Sequence, residues 1–186
     1  ASMGFLTEDK ARRLKDSGVD RFNHNLETSA NFYPSICSTH QYEDRVATAK
    51  IVKKAGLDLC CGGLIGMGET LEDRVDLALA LKELKTDSAP INFLDPREGT
   101  DLEGAARVTP NDCLRTLCMF RFVLTSSEVR VAGGRETCLR SLQPLALYPA
   151  NSMFTNGYLT TGGSGYEADK RMIEDAGFEL GHLVNA

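Results

Sequence analysis

The chain has 186 residues, of which 42% are hydrophobic and 25% are charged, as is typical of one globular domain. This composition excludes a wholly disordered chain, and no apolar run approaches the roughly 18 residues of a membrane helix. The 21 basic and 26 acidic residues give a net charge of −5, and no basic block favours nucleic acid or an anionic membrane as a partner. The first ten residues lack the charged and apolar regions of a signal peptide, so we expect none.

Six cysteines stand at positions 37, 60, 61, 113, 118 and 138. They are too sparse for a disulfide scaffold, and no C-x2-C or C-x3-C spacing predicts a self-contained zinc or iron–sulfur site. The pattern is typical of reduced cysteines that serve as small core residues in an intracellular protein.

Short β-branched or apolar runs alternate with helix-like segments along the chain. The strands are predicted at 19–25, 57–63, 90–94, 128–132 and 152–154, and the helices at 8–17, 41–55, 71–85, 110–123, 137–147 and 166–176. Two helices have clear starts, because Thr109 precedes Pro110 and Thr70 precedes acidic residues, as N-cap residues do. We expect residues 1–186 to form a single domain.

This alternation of strands and helices predicts a parallel sheet with right-handed crossovers. Two architectures fit it: an open doubly wound sheet, or part of an eight-stranded βα barrel. A typical barrel needs roughly 250 residues, so the five predicted strands are three short of one. The chain also opens with a helix, as if a strand had preceded it.

The faces of the predicted strands favour the barrel. Side chains alternate between the two faces of a strand, and here one face is apolar while the other carries polar groups near the carboxyl ends of the strands. A sheet covered by helices on both sides would be apolar on both faces. Polar residues at the carboxyl ends of barrel strands are typical of an active site, and those of the polar face are Asn23, Asn25, Asp58, Cys60, Asn92, Glu128 and Arg130.

Two further features have ordinary structural interpretations. The glycine-rich segment at 62–70 lacks the Lys-Ser/Thr of a P-loop and the third glycine of a dinucleotide fingerprint, so close packing at a strand-to-helix turn is favoured over anion binding. His24, between two asparagines on a strand, is more typical of a hydrogen-bonded core histidine than of a catalytic base.

A set of short motifs nevertheless resembles the biotin synthase family, in order and in spacing, over essentially the whole chain. The motifs are RFNHNLETS at 21–29, YEDR at 42–45, CCGG at 60–63, GMGET at 66–70, PINFL at 90–94, VR at 129–130, GRE at 134–136, NS at 151–152 and YLTT at 158–161. The resemblance implies an α/β fold, a partial (β/α) TIM-type barrel that holds the last five strands of a radical S-adenosylmethionine (radical SAM) barrel.

The resemblance also implies a function. Members of the family convert dethiobiotin to biotin by radical insertion of sulfur. They use S-adenosylmethionine, a 4Fe–4S cluster that cleaves it, and a 2Fe–2S cluster that donates sulfur. It further implies an electron donor protein such as flavodoxin or ferredoxin, a homodimer, and a location in the cytoplasm, or in an organelle matrix if the source is eukaryotic.

Residue roles follow from the same resemblance. Cys60 matches a cysteine ligand of the 2Fe–2S cluster, and Arg130 matches the unusual arginine ligand of that cluster. Cys61 stands where the family usually has Ser or Thr, and Cys37, Cys113, Cys118 and Cys138 match no known role. No catalytic residue is assigned beyond these two ligands.

The remaining matches concern small molecules. Asn25, Glu27 and Arg45 match residues that bind S-adenosylmethionine. Asn25 and Asn92 match residues that bind the ureido group of dethiobiotin, with Asn23 as a nearby polar wall. Paired amides suit a ureido ring, since each amide offers both a donor and an acceptor.

One departure limits what the chain should do alone. The C-x3-C-x2-C motif that binds the 4Fe–4S cluster is absent, and two cysteines of the 2Fe–2S site are expected upstream of Ala1. We therefore expect the isolated chain to be inactive. Two alternatives are another radical SAM barrel enzyme and a non-catalytic half-barrel that binds a small molecule or pairs with a partner chain.

Overall fold

The structure is a computed structural model that describes residues 1–157 and 162–181. Tyr158–Thr161, which belong to one of the quoted motifs, lie outside the described residues. The α-helices of the described part are α1 Glu8–Asp16, α2 Tyr42–Lys54, α3 Leu71–Glu83, α4 Pro110–Val123, α5 Arg135–Leu139 and α6 Tyr166–Asp175. Its strands are β1 Arg21–Asn23, β2 Asp58–Cys60, β3 Gly63–Ile65, β4 Ser88–Phe93, β5 Glu128–Val131 and β6 Ser152–Met153.

The strands form one parallel sheet in the order β1-β2-β4-β5-β6, and β3 pairs with β4. Neighbours in the sheet follow one another along the chain, whereas a doubly wound sheet reverses its strand order at a switch point. The order therefore confirms the predicted partial barrel. Among the described residues β1 and β6 do not pair, so the sheet is open.

The helices pack against one face of this sheet. A single hydrophobic cluster joins helix residues such as Val52, Leu81 and Leu117 to the apolar strand positions. Those positions, in the strands or directly beside them, are Phe22, Leu57, Leu59, Cys61, Ile65, Ala89, Ile91, Phe93, Val129 and Val131. The opposite face, which we call the polar face, carries Arg21, Asn23, Asp58, Cys60, Ser88, Asn92, Glu128, Arg130 and Ser152 and contributes no residue to that cluster.

Two predicted elements differ from the structure for identifiable reasons. The expected strand at 57–63 is split into β2 and β3, because Pro90 on the neighbouring strand has no N–H to offer the ladder. Gly62 fills this gap, since a Cβ there would lie 1.9 Å from the Pro90 carbonyl oxygen. The expected helix at 137–147 begins earlier as α5 and continues as a 3-10 helix, Arg140–Leu147, which contains Pro144.

The predicted helix starts are confirmed. Thr70 accepts a hydrogen bond from the Asp73 backbone N–H (3.1 Å), and the Asp73 carboxylate accepts one from the Thr70 N–H (2.9 Å). Thr109 likewise accepts from the Asp112 N–H (3.2 Å). Both caps satisfy N–H groups that the first helical turn leaves without partners.

A buried ion pair holds α6 against α5. The Arg135 guanidinium donates from Nη2 to both carboxylate oxygens of Asp169 at 3.0 Å, and each side chain is only 2% exposed. The same Nη2 lies 2.7 Å from Glu136 Oε1, and Nη1 donates to Gln143 Oε1. Loss of Asp169 would leave a buried guanidinium with one carboxylate fewer.

We therefore expect Asp169→Ala to lower the free energy of unfolding by about 3 kcal/mol, the usual cost of breaking a buried pair. Lys170→Ala is the matched control, since Lys170 pairs with Glu174 at 3.9 Å on the exposed side of the same helix, and such pairs contribute less than about 0.5 kcal/mol. Urea unfolding of both variants measures the difference. Equal losses would show that the Arg135–Asp169 pair does not hold α6 in place.

Candidate functional site

A row of polar side chains crosses four strands of the polar face at one level. The register aligns Asn23 with Cys60, Cys60 with Ser88, and Ser88 with Glu128. Two residues further along the strands, Pro90, Arg130 and Ser152 form the next row. The parallel arrangement therefore brings Cys60 and Arg130 onto adjacent rows of one face.

Adjacent cysteines point to opposite sides of the sheet. Cys61 is fully buried in the hydrophobic cluster beneath the helices, and burial raises the pKa of its thiol well above the usual value. Cys60 lies on the polar face, where Asn23 Nδ2 is 3.3 Å from its Sγ. Of these two cysteines, Cys60 is therefore the one whose Sγ lies on the polar face.

The Arg130 side chain is held by three neighbours. Its Nε donates to Ser152 Oγ (2.8 Å), its Nη2 pairs with Glu128 Oε1, and its Cζ lies 5.5 Å from the centre of the Phe154 ring. Arg21 Nη1 donates to the other oxygen of Glu128, Oε2, at 3.1 Å. Although burial acts to raise the pKa of Glu128, the Ser152 hydroxyl and the two guanidiniums hold it below its usual value.

The three residues expected to bind S-adenosylmethionine contact one another: Asn25 and Glu27 follow β1, and Arg45 lies on α2. Arg45 Nη1 donates to the Asn25 carbonyl oxygen (2.9 Å) and lies 3.5 Å from Glu27 Oε1, while its Nε donates to Tyr33 Oη (2.6 Å). Burial raises the pKa of Glu27, and the Arg45 charge opposes that shift. Glu27 also adopts a left-handed φ of 72°, a conformation that is uncommon for a residue with a side chain.

The asparagine amides also brace the backbone. Asn25 Oδ1 accepts from the Gly62 N–H (3.1 Å). Asn92 Nδ2 donates to the Gly63 carbonyl (3.1 Å), and its Oδ1 accepts from the Gly133 N–H (2.9 Å). Each amide keeps one N–H and further lone pairs for a ligand. The expectation that Asn25, Cys60, Asn92 and Arg130 line one cavity stays a prediction.

In the glycine-rich segment, the Glu69 side chain accepts hydrogen bonds from the backbone of the segment itself. Glu69 accepts from the Gly66 N–H and the Met67 N–H, both at 2.8 Å, and from Arg74 Nε at 2.9 Å. A Cβ on Gly63 would lie 2.4 Å from the Glu27 carbonyl oxygen. These contacts show that the segment is closely packed at its strand-to-helix turn.

Sequence reasoning did not single out several groups at this face. Arg21, Ser88 and Ser152 lie among the candidates, whereas Tyr33 belongs to the hydrophobic cluster and contacts Arg45 through its hydroxyl. Ser88 Oγ is buried without a hydrogen-bond partner among the described residues. Strand alternation could have indicated Arg21 and Ser88. His24 is buried, as expected of a core histidine, and burial lowers its pKa to about 4, so the ring is neutral at pH 7. Its Nε2, however, lacks the expected hydrogen bond among the described residues.

The described residues contain no group of three or more His, Cys, Asp or Glu side chains that could hold a metal ion. A cavity of about 760 Å³ lies beside β6, where Tyr148, Ser152, Met153 and Phe178 are among the residues that line it. In the part of the chain that the structure describes, no helix is long and apolar enough to cross a membrane.

Two family descriptions match adjacent parts of the chain. The radical SAM superfamily matches residues 1–81, and the biotin and thiamin synthesis associated domain matches residues 90–179. Biotin synthase from Salinibacter ruber is 56% identical over 179 residues, and biotin synthase from Bacillus cytotoxicus is 54% identical over 178 residues. Each alignment covers 96% of this chain.

The chain is a homologue of the biotin synthases. It spans about half the length of the curated biotin synthases it matches, 50% and 54% for these two relatives. Solved structures agree on the fold. Methylornithine synthase superposes with a TM-score of 0.80 at 17% identity, over 97% of this chain and 58% of that one. An FeFe-hydrogenase maturase from Carboxydothermus hydrogenoformans superposes with a TM-score of 0.73 at 14% identity, over 95% of this chain and 46% of that one.

One thiol without an assigned role in the biotin synthase family has an activated environment. Cys37 Sγ lies 3.6 Å from His40 Nε2 and 3.5 Å from Thr39 Oγ1. Hydrogen bonding by the Tyr33 hydroxyl, followed by that of Thr39, lowers the pKa of Cys37 to about 7. At pH 7 a larger share of this thiol than of an ordinary cysteine is therefore thiolate, the nucleophilic form.

We expect alkylation of Cys37 by iodoacetamide to rise with pH through a midpoint near 7, about 1.5 units below an ordinary thiol. Tyr33→Phe removes the main stabilising hydrogen bond and should move the midpoint upward. Peptide mapping by mass spectrometry reports each cysteine separately, and the exposed Cys118 on α4 serves as the internal control. A midpoint near 8.5 for Cys37 in the unmodified chain would contradict the assignment.

Proposed function

We propose that the chain works as part of a biotin synthase that converts dethiobiotin to biotin by radical insertion of sulfur. The observation that carries this proposal is the 56% identity to a biotin synthase over 96% of the chain. The position of Cys60 and Arg130 on adjacent rows of one polar face supports it.

The cofactor residues fit an anionic and hydroxyl-rich ligand. Arg45 offers a half-buried guanidinium suited to the carboxylate of S-adenosylmethionine, and Glu27 offers acceptor oxygens suited to ribose hydroxyls. Asn25 stands between them, since its carbonyl accepts from Arg45. We propose that these three residues bind and orient S-adenosylmethionine.

The substrate residues fit a cyclic urea. Asn25 and Asn92 each use part of their amide on the backbone and keep a donor and an acceptor for the ureido group of dethiobiotin. Asn23 lies on the neighbouring strand with its amide at Cys60. Asn23 ends β1, Asn25 follows it and Asn92 lies near the carboxyl end of β4, so the three asparagines would hold the ring near the Cys60 row.

Cys60 and Arg130 fit part of the ligand set of a 2Fe–2S cluster. Thiolate is the usual iron ligand. The Ser88 hydroxyl, which lies between the Cys60 and Glu128 positions, is buried on this face without a hydrogen-bond partner among the described residues. When bound, the 2Fe–2S cluster would supply sulfur and a 4Fe–4S cluster would supply the electron that cleaves S-adenosylmethionine. We propose that the ligands of the 4Fe–4S cluster are not in this chain.

The wider assembly is also part of the proposal. An electron donor such as flavodoxin or ferredoxin and a second copy of the enzyme are the partners expected of a biotin synthase. The six cysteines of this chain form no disulfide bond, which suits a reducing compartment such as the cytoplasm or an organelle matrix. Another radical SAM reaction would not require both Cys60 and Arg130, and a non-catalytic binding module would require neither.

We expect the isolated chain to form no 5′-deoxyadenosine and no biotin when supplied with iron, sulfide, S-adenosylmethionine, dethiobiotin and a reductant. The reason is that cleavage needs a cluster held by closely spaced thiolates, which its six cysteines do not offer. Chromatographic detection of 5′-deoxyadenosine above a control without iron and sulfide would contradict this expectation.

A chimera tests the proposed function itself. The matching 179 residues of the Salinibacter ruber biotin synthase are replaced by this chain, and the chimera should produce biotin. Cys60→Ala in that chimera should abolish biotin while 5′-deoxyadenosine still forms, and Cys118→Ala is the matched control. A chimera that folds and cleaves S-adenosylmethionine but makes no biotin would reject the proposal.

A further inference from the structure

A chain of alternating charges runs across the polar face. Arg21 on β1 lies 3.7 Å from Asp58 Oδ2 on β2 and donates to Glu128 Oε2 on β5 at 3.1 Å. Glu128 in turn pairs with Arg130 through Oε1. Since β2 and β4 separate β1 from β5 in the sheet, the Arg21 side chain reaches over two strands to meet Glu128.

Both oxygens of the Glu128 carboxylate are therefore engaged by different guanidiniums. The Glu128 side chain is 24% exposed and that of Arg130 is 19% exposed, so water screens this contact less than a surface pair. Without the carboxylate, two positive groups would face each other across a half-buried gap. Glu128 therefore restrains the orientation of the Arg130 guanidinium through a direct contact.

The same contacts leave one Arg130 nitrogen unengaged. Nε donates to Ser152 and Nη2 to Glu128, and Nη1 has no hydrogen-bond partner among the described residues. Because the guanidinium is planar and rigid, fixing two of its nitrogens fixes the third. The direction of Nη1 is thus set by Ser152 and Glu128 together.

We propose that Glu128, anchored from the opposite side by Arg21, is a positioning residue that presents the free edge of the Arg130 guanidinium to the polar face. This inference rests on the proposed function for the role of Arg130, while the contacts that carry it do not depend on a bound cluster. Glu128 itself touches no reacting group. In this proposal the carboxylate at residue 128 restrains Arg130, and the cation at residue 21 restrains that carboxylate.

The test measures how readily Arg130 reacts with phenylglyoxal, a reagent for exposed guanidiniums, in the 186-residue chain. Peptide mapping gives the rate for each arginine, and Arg12, whose side chain is 69% exposed, is the internal reference. We expect Glu128→Gln to speed labelling of Arg130 about fivefold, the effect of losing one partly exposed ion pair. Glu128→Asp keeps the charge and should restore most of the protection.

Two variants separate positioning from a general loss of structure. Asp58→Asn removes the other carboxylate near Arg21. Because the Asp58 side chain is 54% exposed, this variant should leave Arg130 labelling unchanged. Arg21→Gln should speed it by a smaller factor than Glu128→Gln, and it also serves as the test if Glu128→Gln does not fold. Circular dichroism of each variant confirms that the fold is kept.

The proposal is overturned if folded Glu128→Gln and the unmodified chain label Arg130 at the same rate, or if Glu128→Asp protects no better than Glu128→Gln. Failure of the proposed function gives a different result. Labelling would then follow the expected order of variants, while the chimera described above makes no biotin.

Discussion

The two faces of the parallel sheet have opposite chemistry because helices cover only one of them. Alternation along each strand sends every second side chain to the helix layer, which requires apolar groups, and the remainder to a face without that layer. Cys60 and Cys61 illustrate the constraint. They are adjacent in the chain, yet the Cys60 thiol contacts the Asn23 amide on the polar face and the Cys61 thiol lies in the hydrophobic cluster. The arrangement of every candidate residue depends on this alternation being kept in register across β1, β2, β4 and β5.

Much of this architecture could be predicted from local patterns. Thr70 ahead of acidic residues located the start of α3, and Thr109 ahead of Pro110 located that of α4, because capping depends on a few neighbouring residues. The parity of polar positions in the strands indicated a one-sided sheet for the same reason. Local patterns did not reveal the break between β2 and β3, since it arises from Pro90 on another strand.

The charge network of the polar face could not be predicted in the same way. Arg21 and Glu128 are 107 residues apart in the chain, and only the strand order places them within reach of each other. Nor could the sequence show that Asn92 links β3 to the segment after β5 through both ends of its amide. Residues matched to a family role therefore also carry structural contacts, which makes simple deletion a poor test of their function.

The central claim is that Cys60 faces the polar face and Cys61 the helix layer, and paired substitutions test it directly. Cys61→Asp places a carboxylate in an apolar core and should lower the free energy of unfolding by at least about 3 kcal/mol more than Cys60→Asp, whose carboxylate can accept from Asn23. Urea unfolding of the two variants measures this difference. Equal losses, or a larger loss for Cys60→Asp, would contradict the assignment of the two faces.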